Sequence, residues 1–192
     1  MLNNSLKLVI CVGLLALSLF PRQVEALSVS QVRFNDEILI NDKKLLLMGA
    51  GLQRFHIHKM VVVGFYLAEK VSKEHVLDNF PKRIEVGFVQ NVMEDELRSE
   101  LTNAMNANTG NLDTEVFGER LNQFLDILSD VGEGDRFGFT YFPDEGTKVD
   151  LNGRLLATIE GDDFARVLFS VYIGDKPMDQ RTKVKLLGRI ND

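Results

Sequence analysis

Polar and apolar residues alternate along several segments of the chain, as expected for strands that are buried on one side. The predicted strands cover residues 32–40, 45–48, 55–67, 83–89, 136–142, 147–151 and 155–159. The segment 55–67 is rich in β-branched and aromatic residues, which is typical of a largely buried strand. Asn152-Gly153 predicts a two-residue hairpin turn, whereas Gly49-Ala50-Gly51 interrupts the pattern between two strands. These signals together predict a sheet.

Four further segments have apolar residues at the spacing of helices that bury one face. We expect helices over residues 94–105, 113–132, 163–173 and 176–187. Asp162 is the expected cap of the third helix, and Pro177 lies at the start of the fourth. Strands, then helices, then a strand meander, then helices indicate an α+β fold. We therefore expect an antiparallel β-sheet with helices packed on one face.

The first 26 residues differ from the rest of the chain. Lys7 precedes an uninterrupted apolar run over residues 8–20, and Val24-Glu25-Ala26 has small residues at the positions that a signal peptidase recognises. The alternative, a retained membrane anchor, needs about 20 apolar residues, which is more than this run supplies. The sequence predicts a cleaved signal peptide over residues 1–26, a single domain over residues 27–192, and export to the periplasm by a Sec-type route.

Charge and cysteine content exclude several classes of function. The net charge is −6 for the whole chain, and cleavage after residue 26 removes two positive charges and one negative charge. A net negative domain with dispersed Lys and Arg residues does not favour nucleic acid as a partner. Cys11, the only cysteine, lies inside the apolar run, so the mature domain has no thiol for a disulfide or an iron–sulfur cluster.

Few residues suggest chemistry by themselves. His56 and His58 are two apart on a predicted strand and so point to one face, but no third metal ligand is singled out, and we expect a solvated strand face and no metal. The glycines at 49 and 51 have no helix behind them, so they do not predict a phosphate site. There is no Gly-x-Ser-x-Gly nucleophile motif. We expect no cofactor.

Several segments occur in an order and spacing that match a known family. They are residues 47–54 (LMGAGLQR) with Lys59 and residues 64–67 (GFYL), residues 134–135 before 141–143, residues 146–147, residues 152–153, residues 159–165 (IEGDDFA), and residues 174–177 (GDKP) before 186–188. Together they resemble the chalcone isomerase-like family, in the form found in bacteria with signal peptides. The resemblance implies an open-faced antiparallel β-sheet with helices packed on one face and an apolar cleft between them.

The resemblance also implies where a site would lie. Enzymes of the family hold a phenolate with an arginine just after the GxG turn. Counting back from Lys59 and Gly64 places Gln53 at that position, with Arg54 one residue away. Val61 replaces a strand threonine, and Met93 aligns with a tyrosine near the first helix. A neutral amide and a valine cannot supply the same electrostatics, so we expect the chemistry to be absent.

Three functions stay open at this point. The first is a non-catalytic protein that binds a fatty acid or another small amphiphile in the cleft, as plant relatives with this fold do. Its candidate ligand-binding residues are Arg54, Gln53, Lys59, Val61 and Met93. The second is an isomerase, an intramolecular lyase acting on an unidentified substrate. The third is an envelope protein that interacts with others through its surface.

Overall fold

The computed structural model describes residues 26–55, 59–110, 112 and 114–190, and an antiparallel sheet dominates this part of the chain. Strands β3 to β9 form one seven-stranded sheet in sequence order, and β1 and β2 form a separate hairpin. The strands are β1 (Ala26–Val29), β2 (Val32–Asn35), β3 (Glu37–Ile40), β4 (Lys43–Phe55), β5 (Lys59–Leu67), β6 (Lys82–Phe88), β7 (Arg136–Phe142), β8 (Gly146–Leu151) and β9 (Arg154–Ile159). The turn after β3 contacts the turn before β8, where Asn41 Nδ2 donates to Glu145 Oε2 at 3.4 Å, so the sheet is curled.

The described helices cover one face of this sheet. They are α1 (Glu94–Asn106), α2 (Thr114–Leu125), α3 (Asp162–Ile173) and α4 (Gln180–Leu186), with a 3₁₀ turn at Lys73–His75. Val61, Val63 and Phe65 of β5 point to this face and join a core with residues such as Leu101 of α1 and Phe164 of α3. The structure thus confirms an α+β fold with helices packed on one face of an antiparallel sheet.

The β1–β2 hairpin covers part of the opposite face. Phe34 of β2 packs in a second apolar cluster with Val62 and Tyr66 of β5. Gly64 makes this contact possible, because a Cβ atom at that position would lie 2.5 Å from the Phe34 ring. Burial on both faces explains why β5 has a continuous apolar sequence instead of an alternating one.

Three strand predictions are corrected by the structure. The predicted strand 32–40 is two strands, β2 and β3, in different sheets. The predicted strand 55–67 is also divided, because Phe55 ends β4 and pairs with Lys59 at the start of β5. Gly49-Ala50-Gly51 does not break a strand but lies within β4, beside a bulge between Leu47 and Gly49. Here the glycines let α4 approach, since a Cβ at residue 49 would lie 1.9 Å from the Lys185 carbonyl oxygen.

Two helices are shorter than their apolar patterns predicted. The helix expected over 113–132 is α2, which ends at Leu125, and Val131 then pairs in an isolated bridge with Val92. The helix expected over 176–187 is α4, which begins at Gln180 because the Asp179 side chain accepts hydrogen bonds from the next backbone N–H groups. Among the described residues, no helix has the length and apolar character needed to cross a membrane. The predicted signal peptide lies almost wholly outside the described residues.

Candidate functional site

A small cavity lies between the sheet and helix α1. Its volume is about 10 Å³, roughly the space of one water molecule. Its lining residues come from four strands and two helices and carry no charge: Gln53, Phe55, Val61, Val86, Phe88, Leu97, Leu101, Phe137, Phe139 and Tyr172. The cavity is therefore an apolar space with two neutral polar side chains at its wall.

Gln53 is the polar group that β4 turns toward this interior. Only 1% of its surface is exposed, and its Nε2 atom donates to the Met178 sulfur at 3.5 Å. Val61 lies directly opposite Gln53 in the antiparallel pairing of β4 with β5. The structure thus brings together two of the predicted site residues and fixes the register in favour of Gln53, not Arg54, at the interior position.

Arg54 lines a separate surface groove beside the cavity. The side chain is exposed, and the backbone N–H of Arg54 donates to Asp179 Oδ2 at 3.5 Å. The groove has a volume of about 590 Å³ and is lined by Arg54, Glu100, Asn103, Ala104, Ala107, Lys176, Pro177 and Met178. Met178 contacts Gln53 and also lines the groove, so its side chain lies between the groove and the cavity.

Lys59 and Met93 lie away from the cavity, at the N-terminal end of α1. Lys59 Nζ forms an ion pair with Glu96, and both side chains are about one quarter exposed (24% and 23%). The same Glu96 carboxylate accepts the Met93 backbone N–H at 2.9 Å, while the Met93 side chain is 52% exposed. The Lys59 ammonium is thus already neutralised within the protein.

Two residues of this region were not singled out from the sequence. Tyr172 of α3 lines the cavity, and burial raises the pKa of its phenol above the ordinary value, so it stays a protonated hydrogen-bond donor at neutral pH. Met178 follows Pro177 in the segment before α4. The sequence placed Tyr172 in the helix predicted over residues 163–173 without a role, and nothing in the local sequence marked Met178.

A second pocket, of about 460 Å³, lies on the sheet face away from the helices. Its floor carries Arg83, whose guanidinium donates to Thr140 Oγ1 at 2.7 Å and to Asp150 at 2.6 and 3.2 Å. Burial opposes the charge, but the hydrogen bonds and charges of Asp150 and Glu85 outweigh it and raise the pKa of Arg83. The guanidinium is therefore held in place by its neighbours as a permanent cation.

No metal site is formed by the described residues, because no three His, Cys, Asp or Glu side chains there are arranged to hold an ion. His56 and His58 lie outside the described residues.

The fold is thus a meandering antiparallel sheet with helices on one face and an uncharged cavity between the two layers. A family model described as chalcone isomerase-like matches residues 26–188. The chain is therefore a member of the chalcone isomerase-like family.

The fold is also that of a solved plant protein. The crystal structure of a fatty-acid binding protein from Arabidopsis thaliana matches with a TM-score of 0.67 over 85% of this chain and 96% of that chain. The two sequences are 15% identical, so the likeness concerns the fold. No curated protein sequence matches the chain significantly.

Proposed function

We propose that this protein binds a fatty acid or a similar small amphiphile between its sheet and helix α1, without catalysing a reaction. The observation that carries the proposal is the uncharged interior cavity with Gln53 at its wall. An apolar space with a few convergent polar groups suffices to bind such a molecule. A fold shared with a fatty-acid binding protein supports the proposal.

The same observation disfavours the isomerase alternative. A ring-closing enzyme of this family needs a fixed cation in the cleft to stabilise a phenolate. Gln53 is neutral and Val61 has no hydroxyl group, so these two side chains supply neither the fixed positive charge nor the strand hydroxyl of the enzymes. The Gln53 amide donates to the Met178 sulfur and carries no charge that could compensate a phenolate.

Binding requires the cavity to open. Sites for small molecules have volumes of about 300–1,000 Å³, whereas this cavity has about 10 Å³. The neighbouring groove already has about 590 Å³, and the Met178 side chain is what lies between the two. Methionine is unbranched and adapts easily, so displacement of Met178 is the simplest way to join the two spaces.

We further propose that the protein is exported to the periplasm after cleavage of residues 1–26. The support is the short apolar run with a cleavage-like site behind it. Mass spectrometry of the protein isolated from its natural host tests this, since the mature chain would begin at Leu27. A mass that retains the apolar run would contradict it.

Lipid analysis and titration test the binding function. Protein purified without detergent is analysed by native mass spectrometry, stripped of lipid, and titrated with decanoate. We expect one bound amphiphile per chain in the mass spectra and saturable binding of decanoate in the titration. Absence of both, or turnover of a chalcone above background that Gln53→Leu abolishes, would overturn it.

A cavity variant locates the binding. Leu101→Trp fills the interior and is expected to weaken decanoate binding at least tenfold, while Leu39→Trp, at a residue that is 70% exposed, is the control and leaves it unchanged. Val61→Ile adds a single methylene to the same interior and perturbs the packing less than the tryptophan does. It therefore tests the same site if Leu101→Trp does not fold. Unchanged binding in both interior variants would place the ligand elsewhere.

A further inference from the structure

The charges around the candidate site are all on one side of Met178. The residues that line the interior cavity are uncharged, whereas the groove next to it carries Arg54, Lys176 and Glu100. The floor of the groove between these charges is apolar, with Ala104, Pro177 and Met178 among its lining. A molecule that bridges the two spaces would therefore meet charge at one end only.

The two cations of the groove are available to a ligand. Within the described part of the chain, neither the Arg54 guanidinium nor the Lys176 ammonium forms an ion pair with a carboxylate, and both residues are exposed. By contrast, Lys59 at the start of β5 is paired with Glu96. Arg54 and Lys176 thus flank an apolar groove without an ion-pair partner among the described residues, and together they outweigh the single negative charge of Glu100 in its lining.

The free energy of transfer from water decides which end of an amphiphile enters the interior. An isolated carboxylate moved from water into an apolar interior loses its hydration, and this is prohibitive without a cation beside it. Gln53 and Tyr172 offer neutral donors only. A hydrocarbon tail, in contrast, gains free energy from leaving water, in proportion to the apolar area buried.

We propose that the groove binds the anionic headgroup, a carboxylate, between Arg54 and Lys176, and that the tail passes Met178 into the interior beside Gln53. This assignment rests on the proposed amphiphile-binding function and adds the orientation of the ligand: head outward, tail inward.

The backbone around Met178 is fixed in a way that suits this role. The Met178 N–H donates to the Val171 carbonyl at 2.8 Å, and Asn108 Nδ2 donates to the Lys176 carbonyl at 3.0 Å and to the Ala104 carbonyl at 2.9 Å. The segment that carries Lys176 is thereby tied to α1 and α3. The Met178 side chain can swing aside while the backbone that carries Lys176 stays in place.

Paired titrations with decanoate and with decanol, which has the same tail and no charge, test the headgroup site. Arg54→Gln with Lys176→Gln is expected to weaken decanoate binding about fivefold to tenfold, which lies within the range for two exposed ion pairs, and to leave decanol binding within about twofold. The matched control is Lys70→Gln with Arg154→Gln, which removes two cations outside the groove. Glu100→Gln removes the acid of the groove and is expected to tighten decanoate binding about twofold.

The outcomes separate the two proposals. If the native protein binds neither decanoate nor decanol, the binding function and the headgroup site both fail. If it binds both but the Arg54 and Lys176 double variant binds decanoate as tightly as the control variant does, the headgroup site is wrong and the binding function stands. A loss of affinity for decanoate alone in the double variant supports the assignment, together with a decanoate affinity that falls at high salt in the native protein and the control variant but not in the double variant.

Discussion

Burial changes the acid–base behaviour of one lysine side chain, that of Lys82. It is 2% exposed at the start of β6, and its Nζ donates to the carbonyls of Val76 at 3.1 Å and Asp78 at 2.5 Å. The Phe80 ring centroid is 4.4 Å away. Burial lowers the pKa of Lys82 to about 7, although the nearby Asp78 acts in the opposite direction.

This pKa predicts a pH-dependent stability. The unfolded chain has the ordinary lysine pKa of about 10.4, so between pH 7 and 10 the unfolded state binds more protons than the folded state. Stability from this group therefore rises with pH in that window, by at most about 1.4 kcal/mol per unit, and is constant at lower pH. Urea unfolding at pH 7 and pH 9 measures it, and Lys82→Met should remove a rise that the exposed control Lys70→Met retains.

Thr147 offers a second test at the residue scale. Its side chain is fully buried, and its hydroxyl has no hydrogen-bond partner within the described part of the chain. Valine has nearly the same shape without the hydroxyl, so Thr147→Val should stabilise the protein by about 1 kcal/mol. Chemical denaturation measures this change. A loss of stability would mean that the hydroxyl is satisfied in solution by a bound water.

At the scale of elements, the Arg83 side chain connects three neighbouring strands. It arises from β6, bonds Thr140 of β7 and reaches Asp150 of β8 by passing over Gly138. A Cβ at residue 138 would lie 2.0 Å from the Arg83 Nη2 atom. The glycine therefore creates the space through which the ion pair forms across β7.

Gly138→Ala should consequently displace Arg83 and destabilise the fold by about 1–3 kcal/mol. The matched control is Gly118→Ala in α2, where a Cβ would have no neighbouring atom within 4 Å. That change should be neutral or stabilising by up to about 1 kcal/mol, because alanine favours helix. Thermal unfolding of both variants measures the difference in stability. Equal changes in stability would contradict the role of Arg83 in connecting the strands.

Alternation and turn signals predicted those elements that lie in regular hairpins. β7, β8 and β9 lie close to their predicted positions because each has one clear periodicity and a turn between strands. The division of residues 32–40 was missed although the polar run Asn35-Asp36-Glu37 interrupts the alternation. The sequence does not show that the pairing partner changes at this point. The choice between Gln53 and Arg54 also needed the structure, because adjacent strand residues face opposite sides and a bulge precedes them in β4.

At the scale of the whole molecule, the two faces of the sheet offer two different environments. The helix side encloses an uncharged cavity that needs to open, and the other side holds an open pocket above the Arg83 ion pairs. An amphiphile tail is suited to the first, since every lining group there is neutral. We therefore propose that the ligand enters between the sheet and α1.

Methyl NMR spectra recorded during a decanoate titration test this claim most directly. The methyl groups of Val61, Leu97 and Leu101 line the interior, whereas Leu155 lines the open pocket on the opposite face. We predict saturable shifts of the three interior residues and no shift of Leu155. Saturable shifts at Leu155 alone, or no saturable shift at any methyl group, would contradict the account.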